Sequence, residues 1–296
     1  MRTIPDEPLG PFRSLVGLIG AFFIHVLMRT FGRTVRESSV PWLSGPIGAD
    51  YIGDTPYEEV AARENLALVR RSVRGGLVPD VGALNGPGFH ADRLRPEVRH
   101  FYEHTAMYRM DVWSETFFPG KIGLWLLVTT ISRKVNQLNF PLHALATARG
   151  MDSEIVLLED QNGTIRYTGW YRRLVDTGRS VYTGFYMTAR VPLAANPCIK
   201  VVFPMPNGNA TVILQPSLDE QGHLRLSSKG AAFGDAGFYR VRKISDDRLL
   251  VWRVRSLHEE FRVYVDDANV LRCDHRVRFL GMPVLHLHYR IERTAC

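Results

Sequence analysis

The sequence predicts an α+β chain in which a helical N-terminal half, residues 1–150, packs on a C-terminal antiparallel β-barrel, residues 151–296. Two observations carry that expectation. Before residue 150, segments with helical spacing of apolar residues alternate with Pro/Gly-rich stretches. After Gly150 the period becomes two, and turn signals punctuate the chain at short, regular intervals.

The first helix is expected over 11–30. It contains "SLVGLIGAFFIHVLM", 14–28, a charge-free run shorter than the roughly 20 residues a spanning helix needs. Charged residues precede it and no small-residue cleavage site follows, which argues against a secretory signal. It reads either as a buried core helix or as a helix on a membrane surface, with Arg29, Arg33 and Arg36 at the headgroups. A second helix is expected over 56–74, with Thr55 as N-cap, Pro56 at the first position and Gly75 as the stop. Residues 75–95 read as loop; Pro96 opens a helix to about 117, and another covers about 122–139.

The turn signals "QNG" 161–163, "DTG" 176–178, "NGN" 207–209, "EQG" 220–222, "SDD" 245–247 and "DDAN" 266–269 then delimit strands. These fall at about 154–159, 164–173, 179–191, 198–204, 210–215, 223–228, 237–243, 249–255, 257–265, 270–280 and 284–292. Hairpin-length connections make an antiparallel meander, and closure removes unpaired edges, so a calycin- or lipocalin-like barrel is expected, with a sandwich as the alternative.

Composition narrows the class. Hydrophobic content of 45% and charged content of 23% are those of a folded domain. The net charge of +7 comes from 32 arginines against 5 lysines, scattered from Arg2 to Arg293. Without clustering or a recognised motif, that charge excludes nucleic acid as the expected partner. Three cysteines with no C-x-x-C pair point to a reducing compartment, hence a cytoplasmic protein with peripheral membrane contact through 14–28 as the alternative.

Alternation assigns an inner face. Leu271, Cys273, His275, Val277 and Phe279 share one side of their strand, with Arg272, Asp274, Arg276 and Arg278 on the other. The same parity puts Leu257, Glu259, Phe261, Val263 and Val265 inside, together with Leu285, Leu287, Tyr289 and Ile291. Glu259 and His275 thus become candidate acid/base groups in an apolar lumen. Cys273 reads as a small buried hydrophobe lining it. Trp170, Tyr182, Phe261 and Tyr289 are expected to shape the pocket.

"HFYEH", 100–104, matches the H-x-x-E-H spacing of inverted zincins. That family's third ligand is a downstream glutamate, and no Glu occurs between Glu159 and Glu220, so a zinc hydrolase is the weakest alternative. On a helix, His100, His104, Tyr108, Asp111 and Glu115 fall within about an 80° sector. That stripe either faces solvent or borders a cleft in which His104, Tyr108 and Asp111 move protons, with Trp113 on the apolar side contacting ligand. His286 and His288 point the same way from a strand, but two ligands do not make a site, so no metal is expected. No nucleotide or serine-nucleophile motif occurs, and no cofactor is expected.

The function these readings predict is binding of a hydrophobic small molecule in the barrel, converted there by cofactor-free acid/base chemistry such as isomerisation or cyclisation. The competing expectations are a non-catalytic lipid carrier, membrane-associated through 14–28, and a barrel filled by its own side chains.

Overall fold

The computed structural model describes residues 22–48, 53–70, 72–118, 151–175, 178 and 180–294. Within them the chain is predominantly antiparallel β-sheet. Residues 22–31 are helical (α1), followed by β1 (Arg33–Arg36), α2 (Thr55–Glu64), β2 (Ala67–Arg70), α3 (Pro96–Glu103) and β3 (Tyr108–Thr116). The remaining strands are β4 (Met151–Glu159), β5 (Ile165–Leu174), β6 (Ser180–Ala189), β7 (Cys198–Met205), β8 (Gly208–Leu218), β9 (Leu224–Ser227) and β10 (Gly237–Lys243). They continue through β11 (Arg248–Arg253), β12 (Leu257–Val265), β13 (Leu271–Phe279) and β14 (Met282–Arg293). Every strand expected after residue 150 is present, because there the period of two and the turn residues agree.

The helical N-terminal half is corrected. Its described part contributes three strands, and each pairs with the later sheet: β1 with β11, β2 with β4 and β3 with β14. The helix expected over 56–74 ends at Glu64, where Asn65 takes a left-handed conformation (φ 53°) and ends the hydrogen-bonding run. The helix expected to reach 117 ends at Glu103. Beyond it "YRMDVWSET" alternates, with Met110, Val112 and Ser114 buried and Arg109, Asp111, Trp113 and Glu115 exposed. The i, i+4 spacing of the histidines masked that alternation, and pairing with β14 decides in favour of strand. The helix expected over 122–139 lies outside the described residues.

Strands run in the order β2-β4-β5-β6-β7-β8-β9-β12-β13-β14-β3, with a branch from β8 through β10 and β11 to β1. The long β8 makes the branch: Gly208–Ile213 pair with β10, and Gln215–Leu218 pair with β9. Among the described residues the sheet is unclosed, with β2 and β3 at its ends. It nevertheless curls strongly, since Arg172 of β5 lies 5.3 Å from the ring of Tyr289 on β14, seven ladders away in the strand order.

Its concave side holds the largest apolar cluster, to which Ile155, Leu157, Ile199, Val201, Val212, Leu214, Leu226 and Val263 contribute. Leu94, Val98, Phe101 and Tyr102, from α3 and the loop before it, cover one end of that interior. The convex side of β4–β6 is covered by α2, whose Tyr57 sits against Gly169: a Cβ there would stand 2.4 Å from the ring, so only glycine admits the helix this close. Such double coverage explains why these strands are apolar on both faces. β12–β14 and β3 instead carry Arg272, Asp274, Arg276, His286, His288 and Arg290 outward.

Candidate functional site

Inside the curl lies a cavity of about 720 Å³, within the range of small-molecule sites. Its wall is almost entirely apolar: Ile199, Val201 and Phe203 from β7, Val212 and Leu214 from β8, and Leu226 and Val263 from β9 and β12. Leu77, Phe101 and Tyr102 close the end covered by α3. At the other end Phe279, Leu280 and Met282, from the turn joining β13 to β14, line it while remaining 43%, 68% and 45% exposed. Leu280 and Gly281 both have positive φ, so the turn holds a bulky leucine out in solvent in a conformation that such residues rarely adopt. Phe23 of α1 joins this mouth, itself 60% exposed.

Seven sequence-predicted site residues line the cavity: Glu259, His275, Trp170, Tyr182, Phe261, Cys273 and Tyr289. His275 Nε2 is 3.1 Å from Glu259 Oε2, and the His275 ring stacks on Phe261 at 3.9 Å, so the two titratable groups on neighbouring strands form one partly buried pair. Burial pushes the Cys273 thiol up, with the Asp274 charge adding to it, which makes the sulfur a poor nucleophile.

His104, Tyr108, Asp111 and Trp113 do not line the cavity, and the helical stripe that grouped them is corrected. With the helix ended at Glu103 they no longer share a stripe. His104 caps α3, Asp111 and Trp113 (48% exposed) sit on the outer face of β3, and Tyr108 bonds His100 Nδ1 at 2.8 Å. Burial, and then the neighbouring His104, hold the His100 imidazole below its ordinary value. Trp113 was misplaced because helical spacing grouped it with Met110, whereas strand parity puts the two on opposite faces.

The residue that sequence reasoning missed is Arg172. Its side chain is 2% exposed, lines the cavity, and takes part in no ion pair among the described residues. Nε and Nη2 are buried without a hydrogen-bond partner. Three aromatic rings surround the guanidinium, Trp170 at 5.1 Å, Tyr289 at 5.3 Å and Tyr182 at 5.9 Å, and the hydroxyls of the two tyrosines accept hydrogen bonds from it. Burial disfavours its charge, yet the electrostatic influence of Tyr289 and Tyr182 and hydrogen bonds to their hydroxyls outweigh that and raise its pKa, so the cation persists. The same phenols are driven up by burial, as are those of Tyr102 and Tyr186, so all four remain neutral hydroxyls. Parity with Trp170, two residues earlier on β5, was the signal that could have found it.

Position along the strands orders these groups. Tyr289 pairs with Cys273, toward the covered end of β13, whereas Glu259 pairs with Val277, toward Phe279 and the mouth. The cationic, phenol-rich end is therefore deep, the Glu259–His275 pair lies nearer the opening, and the opening itself is apolar.

No protein-family model and no solved structure matches the chain. It is similar to a membrane protein of Bacillus subtilis (strain 168), the uncharacterized YndJ, at 24% identity over 291 residues. The match covers 93% of this chain and 48% of YndJ, so the chain spans about half the length of that relative. Among the described residues, no helix is long and apolar enough to cross a membrane. The described part of the 14–28 run is not a buried core helix: Phe22, Phe23 and Val26 are exposed and Met28 is buried.

Proposed function

We propose that this chain binds an amphipathic molecule, a long hydrocarbon with a carboxylate or similar anionic head, in a barrel formed by the curled sheet. The observation that carries the reading is the buried guanidinium of Arg172 at the deep end of an apolar cavity, with Nε and Nη2 unpartnered and no carboxylate paired to it among the described residues. An uncompensated buried charge costs several kcal/mol, roughly, and an anionic head seated on Nε and Nη2 removes that cost. The phenols of Tyr182 and Tyr289 flank the head, while the tail runs past Phe261 and Val277 to the mouth at Phe279, Leu280 and Met282. Each buried methylene adds about 0.8 kcal/mol.

Exposed apolar side chains at the mouth and on α1 support uptake from a membrane surface, where Phe22, Phe23, Phe31 and Leu280 insert. The likeness to a membrane protein of B. subtilis fits this.

The Glu259–His275 pair favours a second reading, in which the bound molecule is isomerised or cyclised. Carboxylate and imidazole 3.1 Å apart in the cavity wall can relay a proton to a substrate carbon or oxygen. Native mass spectrometry of the protein purified without added ligand, beside Glu259→Gln and His275→Ala, separates the two. A carrier keeps the same co-purifying species in all three proteins. An enzyme's variants retain a different, chemically related species. An empty wild type that also fails to take up added dodecanoate contradicts both.

A further inference from the structure

The outer face of the same sheet carries a second constellation. β13, β14 and β3 align so that Arg276, His286 and Glu115 form one cross-strand row, and Asp274, His288 and Trp113 form the next. His286 and His288 project outward from one strand, and the pairing of β3 with β14 brings in Glu115, a third donor that neither histidine's own strand could supply. One ligand atom from each of the three lies within 4.8 Å of the others. Donors around a tetrahedral zinc stand about 3.3 Å apart, a distance that rotation of the exposed Glu115 side chain brings within reach.

Two further observations distinguish this cluster from an ordinary polar surface. His286 Nε2 is buried and has no hydrogen-bond partner, an orphaned lone pair or N–H beside a second imidazole 3.9 Å away, centroid to centroid. His288 Nδ1 is 2.9 Å from Asp274 Oδ1, a contact that fixes its tautomer and leaves Nε2 free. A carboxylate behind a histidine in this way is how metal-bound imidazoles are oriented. Arg276, the cation in the first row, lies with Nη2 3.9 Å from Asp274.

We infer that Glu115, His286 and His288 form a binding site for a divalent transition cation, with Asp274 positioning His288 and at least one coordination position left open. Two imidazoles and one carboxylate suit zinc or ferrous iron and do not suit calcium or magnesium, which prefer oxygen donors. The site lies on the convex side, lined by none of the residues proposed to hold ligand, and does not depend on that proposal.

Zinc is the probe. Isothermal titration of the full chain is expected to give one zinc per chain. His286→Ala should abolish that binding, Glu115→Gln should weaken it at least tenfold, and Asp274→Asn should weaken it about ten- to a hundredfold. His90→Ala, an exposed histidine elsewhere, should bind as wild type. All four substitutions are outward-facing or at the surface, and unchanged circular dichroism and melting temperature exclude misfolding as the cause. Wild type that takes up no stoichiometric zinc overturns the inference. So does Glu115→Gln with wild-type affinity, which would reduce the cluster to a surface histidine pair.

Discussion

Two buried arginines show how differently the two sides of β8 are built. On the branch side, Arg253 of β11 is 9% exposed and gives both Nη atoms to the carbonyls of Gly230, Ala231 and Ala236, leaving Nε without a partner. Around it the interior is filled: Leu43, Ile213, Tyr239 and Val251 are at most 1% exposed, and Trp42 packs edge-on against Tyr239 at 5.1 Å. On the concave side, Arg172 is more deeply buried, yet Nε and Nη2 find no acceptor and the space before it is a cavity. The chain can surround a structural cation with carbonyls and does so at Arg253. At Arg172 it supplies aromatic rings, two tyrosine hydroxyls and open space, which suits a cation meant for something that comes and goes.

The largest effect expected from this contrast lies in the filled side. Ile213→Ala should cost about 4 kcal/mol in urea denaturation, near the top of the range for close-packed cores. Leu226→Ala, whose side chain already borders the cavity, should cost only about 2 kcal/mol. Equal losses would mean that the cavity closes in solution.

Next come the arginines. Arg253→Met orphans three carbonyls and should destabilise the fold by about 3 kcal/mol. Arg172→Met removes a buried charge that has no carboxylate partner among the described residues and should leave the ligand-free protein as stable as wild type or more so, measured by the same denaturation midpoint. A loss at Arg172 matching that at Arg253 would break the comparison.

A third test uses pH. Lys200, on the convex face of β7 and 5% exposed, donates to the Ser44 carbonyl at 2.7 Å, and burial pushes its pKa down to about 8. Below about pH 8 it is protonated in both folded and unfolded chains, and folding bears the whole cost of burying the charge. Between about 8 and 10.5 the unfolded chain holds more protons than the folded one, so stability should rise with pH there, by up to about 3 kcal/mol. Lys200→Met should flatten that rise in denaturation curves taken across the window.

Much of this architecture was legible in the sequence after residue 150, where alternation and Asn/Asp/Gly turns point to the same strands. Parity alone put Glu259, Phe261, Cys273, His275 and Tyr289 on one inner surface, and the cavity lies there. Before residue 150 the signals conflict. Tyr108–Thr116 is short enough for its i, i+4 polar spacing to imitate a helix, and only its ladder with β14 reveals a strand. That same ladder places Glu115 beside His286, a neighbour across 170 residues of chain that no local pattern encodes. Arg172 had the right parity, but among 32 scattered arginines its lack of a carboxylate partner among the described residues is a property of the folded chain.

The most direct test of the account is a calorimetric titration of wild type and Arg172→Met with dodecanoate and, in parallel, dodecanol. The account predicts one dodecanoate per wild-type chain, binding weakened at least tenfold, about 1.4 kcal/mol or more, in Arg172→Met, and dodecanol held equally by both proteins. Dodecanoate held equally by wild type and Arg172→Met would contradict it, because the guanidinium would then have no part in recognising the head.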